Sequence, residues 1–314
     1  MTADLSAGFI IRRMGLGCLI AMAASSSAGG GGGGGVSVPK CSVCKDEYQS
    51  DGDKAPHVLR CGHSCCAACV RGLIRTHPHG RRAAKCAICR AATAEIDVRP
   101  NHGMREAMAA LLAIHMQTVD VPQGTSLTRQ EYYGLLGLLG DHTMKLQSVY
   151  RASRDGTTYA DLLRCVGDKQ RLAFVIRKDN YVFGAFISAG LKLPDDPTDW
   201  HEYDCDYDCD VWHFSLAGHF PQPTKIESGQ YVWVAGREKS GLGGNVGIGD
   251  NMWLGVSGRP AADIRSCFQY TYSHQVPAGY VGVRCTDPAQ CSALLGGSYQ
   301  FCADEIEVLH VGGT

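Results

Sequence analysis

Between Cys41 and Cys89 the sequence runs Cys41-x2-Cys44, sixteen residues, Cys61-x-His63-x2-Cys66-x2-Cys69, sixteen residues, then Cys86-x2-Cys89. This pattern constrains the chain more than any strand or helix signal. Two cysteines separated by two residues bring both sulfurs to one point through a tight knuckle turn, which suits a tetrahedral metal ion. Cys41, Cys44, Cys61, His63, Cys66, Cys69, Cys86 and Cys89 supply eight donors, enough for two closed Zn²⁺ sites of four. A segment of roughly 60 residues buries too little apolar surface to fold securely alone. Structural zinc can add on the order of 10 kcal/mol of apparent binding free energy per site, and that becomes folding free energy. Closed sites leave no open coordination position, so the expected zinc is structural and does not activate water.

The remaining composition sets the frame. Of the 16 cysteines in 314 residues, eight lie between Cys41 and Cys89 and the other eight are scattered. This is too dense for an ordinary cytosolic enzyme and too sparse for a small disulfide scaffold, and the clustering points to a reducing, cytoplasmic setting. A net charge of -1 argues against a generalist nucleic-acid binder, and a hydrophobic content of 45% argues against a wholly disordered chain. Charge is uneven: residues 41–100 carry ten Lys/Arg against six Asp/Glu, whereas residues 201–314 carry six against thirteen. Two modules are expected. Ahead of them, residues 1–40 contain Ser25-Ser26-Ser27 and an unbroken run from Gly29 to Gly35, the composition of a flexible leader. Arg12-Arg13 followed by the apolar run Met14–Ala24 imitates a secretory signal, and that alternative stays open. The run is too short to span a bilayer.

The donor order Cys-Cys-Cys-His-Cys-Cys-Cys-Cys, with its spacings, resembles the RING finger over about 50 residues. The resemblance implies interleaved, cross-brace ligation: Cys41, Cys44, Cys66 and Cys69 on one ion; Cys61, His63, Cys86 and Cys89 on the other. Cys65 falls outside the series and reads as a packed neutral cysteine. In RING ubiquitin ligases the zinc-organised surface binds a ubiquitin-conjugating enzyme, which carries the reactive thioester itself. By motif position, Val43 matches an apolar contact residue. Leu73 and Ile74, on the helix after Cys69, match the facing groove wall. Arg90 stands where active RINGs often place a cation bridging conjugating enzyme and ubiquitin. Many RINGs carry proline where this chain has Ala87, and alanine keeps the small apolar edge without the rigidity. Arg99-Pro100-Asn101-His102 resembles the segment that often trails RING and U-box domains.

Asn101 reads as a helix N-cap, followed by Met104, Met108, Leu111, Leu112 and His115 at helical spacing. Val121-Pro122-Gln123-Gly124 ends that helix. Thr128-Arg129-Gln130-Glu131 reads as a capping box that opens another, closed by Gly140. A short helix is expected over Tyr159–Cys165. Arg171–Lys178 and Tyr181–Ala189 read as strands joined by the turn Asp179-Asn180. Further strand candidates are Val211–Leu216, Tyr231–Ala235, Met252–Val256 and Glu305–Val311. The second module thus reads as mainly antiparallel β, a sandwich with flanking helices.

Its motifs resemble the TLDc domain over roughly 137–311: Leu146–Gly156, Tyr181–Phe186, Val211–Leu216, the glycine-rich Gly241–Gly249 and the closing Glu305–Leu309. That family implies a β-sandwich linked with oxidative-stress resistance and, in some members, with binding the vacuolar proton pump; it brings no catalytic residue. The fold class expected is α+β multidomain, a cross-brace RING module followed by a TLDc-like sandwich. The divisions are 1–40 leader, 41–90 RING, 91–136 helical linker and 137–314 TLDc-like. Three other features are set against plainer readings. The glycines of Gly241–Gly247 lack a Lys-Ser/Thr ending and precede a strand, so they read as turn glycines. His201, Cys205, Cys209 and His213 form a formal zinc set, but they alternate with aspartates in what reads as a solvated acidic loop. Cys165, Cys267, Cys285, Cys291 and Cys302 read as thiols whose reactivity depends on exposure and pKa. The function expected is a RING-type E3 ubiquitin ligase partnered by a conjugating enzyme, ubiquitin and a protein substrate. The alternative is a zinc-stabilised adaptor without ligase activity, acting in oxidative stress or on proton-pump subunits.

Overall fold

A computed structural model describes residues 39–49, 52–76, 80–199, 206–238, 244–256, 263–286 and 293–312. The chain divides into two compact units, residues 1–111 and 112–314.

In the first unit, β1 (Pro56–Val58) and β2 (Ser64–Cys66) form a hairpin that leads into α1 (Ala67–Leu73). The chain continues through β3 (Ile74–Thr76), β4 (Arg82–Lys85), β5 (Ala92–Ala94) and β6 (Arg99–Pro100) to α2 (His102–Thr118). Two three-stranded antiparallel sheets result, ordered β2-β1-β6 and β3-β4-β5. The residues after Cys89, read from sequence as helical linker, therefore contribute strands to this unit before their helix begins. Asn101 caps that helix as expected, its Oδ1 accepting from the Met104 N–H at 3.0 Å. Asn101 also donates from Nδ2 to Ser64 Oγ at 2.9 Å, tying the helix start to β2. Met108 is buried and Met104 packs against the same small core as Tyr48, Leu59, Val70 and Ala84. The Leu112 and His115 side chains lie outside the described residues.

The second unit opens with α3 (Arg129–Leu139), where the Thr128–Glu131 capping box forms and Gly140 closes the helix at φ 85°. It is followed by β7 (Leu146–Arg151), α4 (Ala152–Asp155), α5 (Tyr159–Val166), β8 (Leu172–Lys178), β9 (Tyr181–Ile187), β10 (Asp206–Asp208), β11 (Val211–Ala217) and β12 (Thr224–Ile226). The last strands are β13 (Tyr231–Val234), β14 (Val246–Ile248), β15 (Met252–Leu254), β16 (Ser266–Gln269), β17 (Gln300–Cys302) and β18 (Glu305–Val311). They make two six-stranded antiparallel sheets, ordered β10-β13-β14-β15-β16-β17 and β12-β11-β9-β8-β18-β7.

The second of these sheets is buried on both faces, which explains why its strands read as near-continuous apolar runs. Phe174, Ile176, Phe183 and Ala185 face the other sheet and meet Val232, Val234, Ile248, Met252 and Leu254. Ala173, Val175, Val182, Trp212 and Phe214 face outward and meet Tyr132, Leu135 and Leu136 of α3. Gly184 sits where a Cβ would collide with the Phe174 carbonyl, so β8 and β9 approach closely there. Asp179 takes φ 51° in the turn between them.

The segment before α3 is held by buried polar bonds. One Glu307 oxygen accepts from Thr125 Oγ1 at 2.9 Å, Ser126 N–H at 2.7 Å and Ser126 Oγ at 2.6 Å. Arg177 donates to Glu131 at 2.8 Å and to the Ser126 carbonyl at 2.9 Å. These bonds attach residues from about Thr125 onward to the sandwich, a reach longer than the motif-based start at 137.

Candidate metal centres

The two terminal knuckles are built alike. Lys45 N–H donates to the Cys41 carbonyl at 2.9 Å, and Arg90 N–H donates to the Cys86 carbonyl at 2.9 Å. Each closing residue adopts a left-handed backbone, Lys45 at φ 66° and Arg90 at φ 62°. This geometry turns the chain so that both sulfurs of a pair point to one place. The middle donors come from the β1–β2 hairpin: Leu59 N–H donates to the His63 carbonyl at 2.9 Å, and Gly62 takes φ 84° at its tip. Cys66 ends β2 as the residue before α1, and Cys69 follows on that helix.

Cys41, Cys44, Cys66 and Cys69 lie with their ligand atoms within 4.8 Å of one another, and so do Cys61, His63, Cys86 and Cys89. This is the interleaved pairing that the RING resemblance implies. The donor chemistry fits zinc. Zn–S bonds of about 2.3 Å in a tetrahedron place sulfurs about 3.8 Å apart, and Cys44 Sγ lies 3.8 Å from Cys66 Sγ. That separation is far beyond a disulfide, about 2.05 Å. His63 Nδ1 is buried without a hydrogen-bond partner among the described residues. A buried ring nitrogen in that state costs free energy unless it is coordinated. The set accepts two structural ions, which would brace the loops and supply no reaction chemistry.

The thiols of the first set divide: burial, then the neighbouring Cys66 and Cys44 sulfurs, push Cys69 far up, and Cys44 is also raised, whereas Cys41 is lowered. Burial pushes the Cys41 thiol up, but hydrogen bonds from the Cys66, Cys44 and Val43 backbone outweigh it and hold the group at about 6. Cys86 is shifted down by the same opposition, burial against the Cys89 and Ile88 N–H groups. Cys65 behaves differently: burial, then the neighbouring Cys41, push it up to about 11. It is buried in the small core beside ligands of both sets but belongs to neither. It is a neutral packed thiol.

Among the sequence-singled surface residues, Val43 is 38% exposed, and Ala87 and Arg90 are exposed. Leu73 and Ile74 are partly buried against the small core. Ile74 is not on the helix as expected: Leu73 is the last helical residue, and β-branched Ile74 opens β3 opposite Ala84. Sequence reading passed over Ile88, which is 54% exposed in the last knuckle. An isoleucine between two ligand cysteines, held outward by the knuckle, was the signal.

The second unit offers no further cluster of metal donors among the described residues. His201 and Cys205 lie outside those residues. His213 is buried and donates from Nε2 to the Ile248 carbonyl at 2.9 Å, and Asp206 and Asp208 lie on β10. Gly244–Gly249 leads into and through strand β14, in line with turn and strand glycines. Of the scattered thiols, Cys267 is fully buried and shifted far up by burial, Cys165 is shifted up for the same reason, and Cys302 is exposed. Cys285 is disulfide-bonded, which corrects its reading as a thiol, and Cys291 lies outside the described residues.

A model of the TLDc domain matches residues 124–312. The chain belongs to the TLDc-domain family. The match starts where Thr125 and Ser126 bond Glu307, so the TLDc domain includes α3 and the loop before it. No helix of the described residues is long and apolar enough to cross a membrane. Shorter similarities run to two ubiquitin ligases. One, E3 ubiquitin-protein ligase trim-21 of Caenorhabditis elegans, is 38% identical over 60 residues, which is 18% of this chain and 19% of that protein. The other, Postreplication repair E3 ubiquitin-protein ligase rad18 of Neurospora crassa, is 35% identical over 71 residues, 23% of this chain and 12% of that protein. The chain therefore spans about a fifth or less of the length of these curated relatives. Together with the two ligand sets, they make this a TLDc protein with a RING-like zinc finger.

Proposed function

We propose that this protein is a RING-type E3 ubiquitin ligase: the zinc module binds a ubiquitin-conjugating enzyme charged with ubiquitin, and the TLDc domain selects the substrate or the location. The observation that carries the reading is the exposed apolar pair Val43 and Ile88, one on each terminal knuckle of a complete double ligand set, with exposed Arg90 beside Ile88. Isolated surface isoleucines are ordinary, but one on a zinc-fixed knuckle is pre-organised for contact and loses little entropy on binding. Arg90 offers a planar fork of donors that can bond conjugating enzyme and ubiquitin together. Leu73, Ile74 and Ala87 would border the same contact. Substrate lysine attacks the thioester, an isopeptide bond forms, and the conjugating enzyme's cysteine leaves; the RING module contributes orientation and no nucleophile. The names of the two relatives support the same class.

Autoubiquitination across a panel of conjugating enzymes tests this. Activity is expected with at least one member, abolished by Cys41→Ser and reduced at least tenfold by Arg90→Ala. Silence across the panel from protein shown to hold two zinc ions per chain sinks it.

A second reading has its own support. Ala87, without the ring of a proline, leaves the last knuckle less rigid, and the TLDc match covers the larger part of the chain. A zinc-stabilised adaptor, acting in oxidative-stress resistance or on proton-pump subunits, would need no ligase activity. Recovery of pump subunits by the full chain and equally by a Cys41→Ser variant would favour it.

A further inference from the structure

The outer face of the sheet β10-β13-β14-β15-β16-β17 carries aromatic rings where a solvated sheet face usually carries mixed charge. Strand alternation turns Met252, Leu254 and Cys267 toward the other sheet and puts Trp253 and Phe268 on the opposite face, where Trp253 packs 5.2 Å from the buried Trp233 ring and keeps part of its surface exposed. Trp253 is directly opposite Phe268 on one side and Gly247 on the other. Gly247 leaves room for the Trp253 ring to lie across the sheet, since a Cβ there would stand 2.9 Å from it. The stripe continues through Tyr270 and Tyr272, packed edge to face: Phe268–Tyr270 centroids lie 5.6 Å apart and Tyr270–Tyr272 centroids 5.3 Å apart. Trp253, Phe268, Tyr270 and Tyr272 are all partly exposed.

The carboxylates of this face lie toward its two ends, the edge strand β10 standing three strands from Trp253 and four from Phe268. Asp206 and Asp208 are exposed on the edge strand β10, on the face opposite core-packed Tyr207. At the stripe's other end, Asp250 accepts from Gln275 Nε2 at 2.8 Å, and Gln275 in turn accepts from the Tyr272 N–H at 3.3 Å. The six strands of this sheet contain no lysine or arginine. Elsewhere in the domain, rings already carry a cation of this chain: Lys225 lies 4.6 Å from the Trp212 ring and Lys192 4.6 Å from Tyr207. Among the described residues no lysine or arginine covers Phe268, Tyr270 or Tyr272; Tyr299 stacks on one side of Phe268 at 6.2 Å and His274 on one side of Tyr272 at 5.7 Å.

We propose that this face is a docking surface for an extended, arginine- or lysine-rich segment of a partner protein. Aromatic faces attract guanidinium and ammonium groups, and the flanking aspartates supply complementary charge that steers and holds such a segment. A sheet face crossed by rings suits an extended chain that presents alternate side chains to one side. The surface belongs to the sandwich alone and stands whether or not the zinc module transfers ubiquitin.

The test uses the full zinc-loaded chain and fluorescein-labelled peptides of about a dozen residues, read by anisotropy: alternating Arg-Gly, alternating Glu-Gly, and a proline-rich peptide. The Arg-Gly peptide is expected to bind, more tightly at low salt, and the other two at least tenfold more weakly. The double variant Tyr270→Leu, Tyr272→Leu keeps apolar area but removes two ring faces, and should weaken Arg-Gly binding about tenfold. A second pair, Asp206→Asn with Asp208→Asn, lies on an exposed edge, should leave the melting curve unchanged, and should weaken binding several-fold. Three results overturn the proposal: no Arg-Gly binding by the wild-type chain, equal binding of the Glu-Gly or proline-rich peptide, or undiminished binding by the aspartate pair. Tighter proline-rich binding would mark the face as a reader of proline-rich partners instead.

Discussion

Single side chains in the zinc module divide into those that hold the fold and those left free at the surface for the proposed partner, and burial separates them. Cys86 is 2% exposed and donates to the second ligand set, whereas Ile88, two residues on, is 54% exposed. Cys86→Ser should lower the zinc content measured by mass spectrometry from about two ions per chain to about one or none, and make residues 41–100 sensitive to protease, because each structural site contributes on the order of 10 kcal/mol. Cys65→Ser should keep both ions, since Cys65 sits outside both sets; its buried hydroxyl costs about 1–3 kcal/mol. Ile88→Ala should change stability by no more than about 0.5 kcal/mol. In the same preparation it should weaken the proposed binding of a conjugating enzyme about tenfold by titration calorimetry. The ligands were legible as single letters because zinc chemistry admits few residue types. Ile88 was not, because an apolar letter does not say which way the backbone aims it.

Among the elements, β11 and the turn after it carry two buried histidines. His213 bonds the Ile248 carbonyl, and His219 donates to the Leu295 carbonyl at 2.8 Å while Ser215 Oγ donates to its other nitrogen at 2.9 Å. Burial pushes each imidazole down to about 4. Both rings are neutral in folded and unfolded chains above about pH 6.5. Between there and about 4 the unfolded chain takes up protons that the folded chain refuses, so the sandwich loses up to about 1.4 kcal/mol per pH unit per histidine. Urea melts at pH 7 and pH 5 should show this loss, and His213→Gln should flatten it; identical curves at the two pH values would count against the burial of both rings. Glu131 adds a loss further down. Burial raises its carboxyl, but Arg177 and the Thr128 N–H outweigh that and hold it below the usual range, so its contribution disappears as pH falls through the folded value. Thr128→Ala, which removes the α3 cap, should cost about 1 kcal/mol and lower the melting temperature by a few degrees. That cap, the β8–β9 pair and α5 were readable because each depends on neighbours in sequence. Strands β10, β12, β14, β16 and β17 escaped notice: they are three or four residues long, and β14 holds a central glycine that sequence reading assigned to a turn.

For the molecule as a whole, the two units draw on different sources of stability. The first has a small core gathered around the ligand sulfurs; the second has two apolar layers on either side of one sheet. A strong chelator should therefore abolish the near-ultraviolet signal and protease resistance of the zinc module while the sandwich keeps its own unfolding transition in calorimetry. A single transition lost entirely on chelation would show the units to be one cooperative block.

Sequence alone determined the zinc module and its donor series, since few chemistries tolerate eight such ligands in that order. It also determined the mainly antiparallel class of the second unit, through strand period and turn residues. Only tertiary structure decided that α3 and the loop before it belong to the sandwich, because the bonds from Thr125 and Ser126 to Glu307 join residues about 180 apart in the chain. The aromatic outer face was likewise hidden. Trp253 and Phe268 are ordinary strand residues in the sequence, and they become one surface because cross-strand register places them opposite each other.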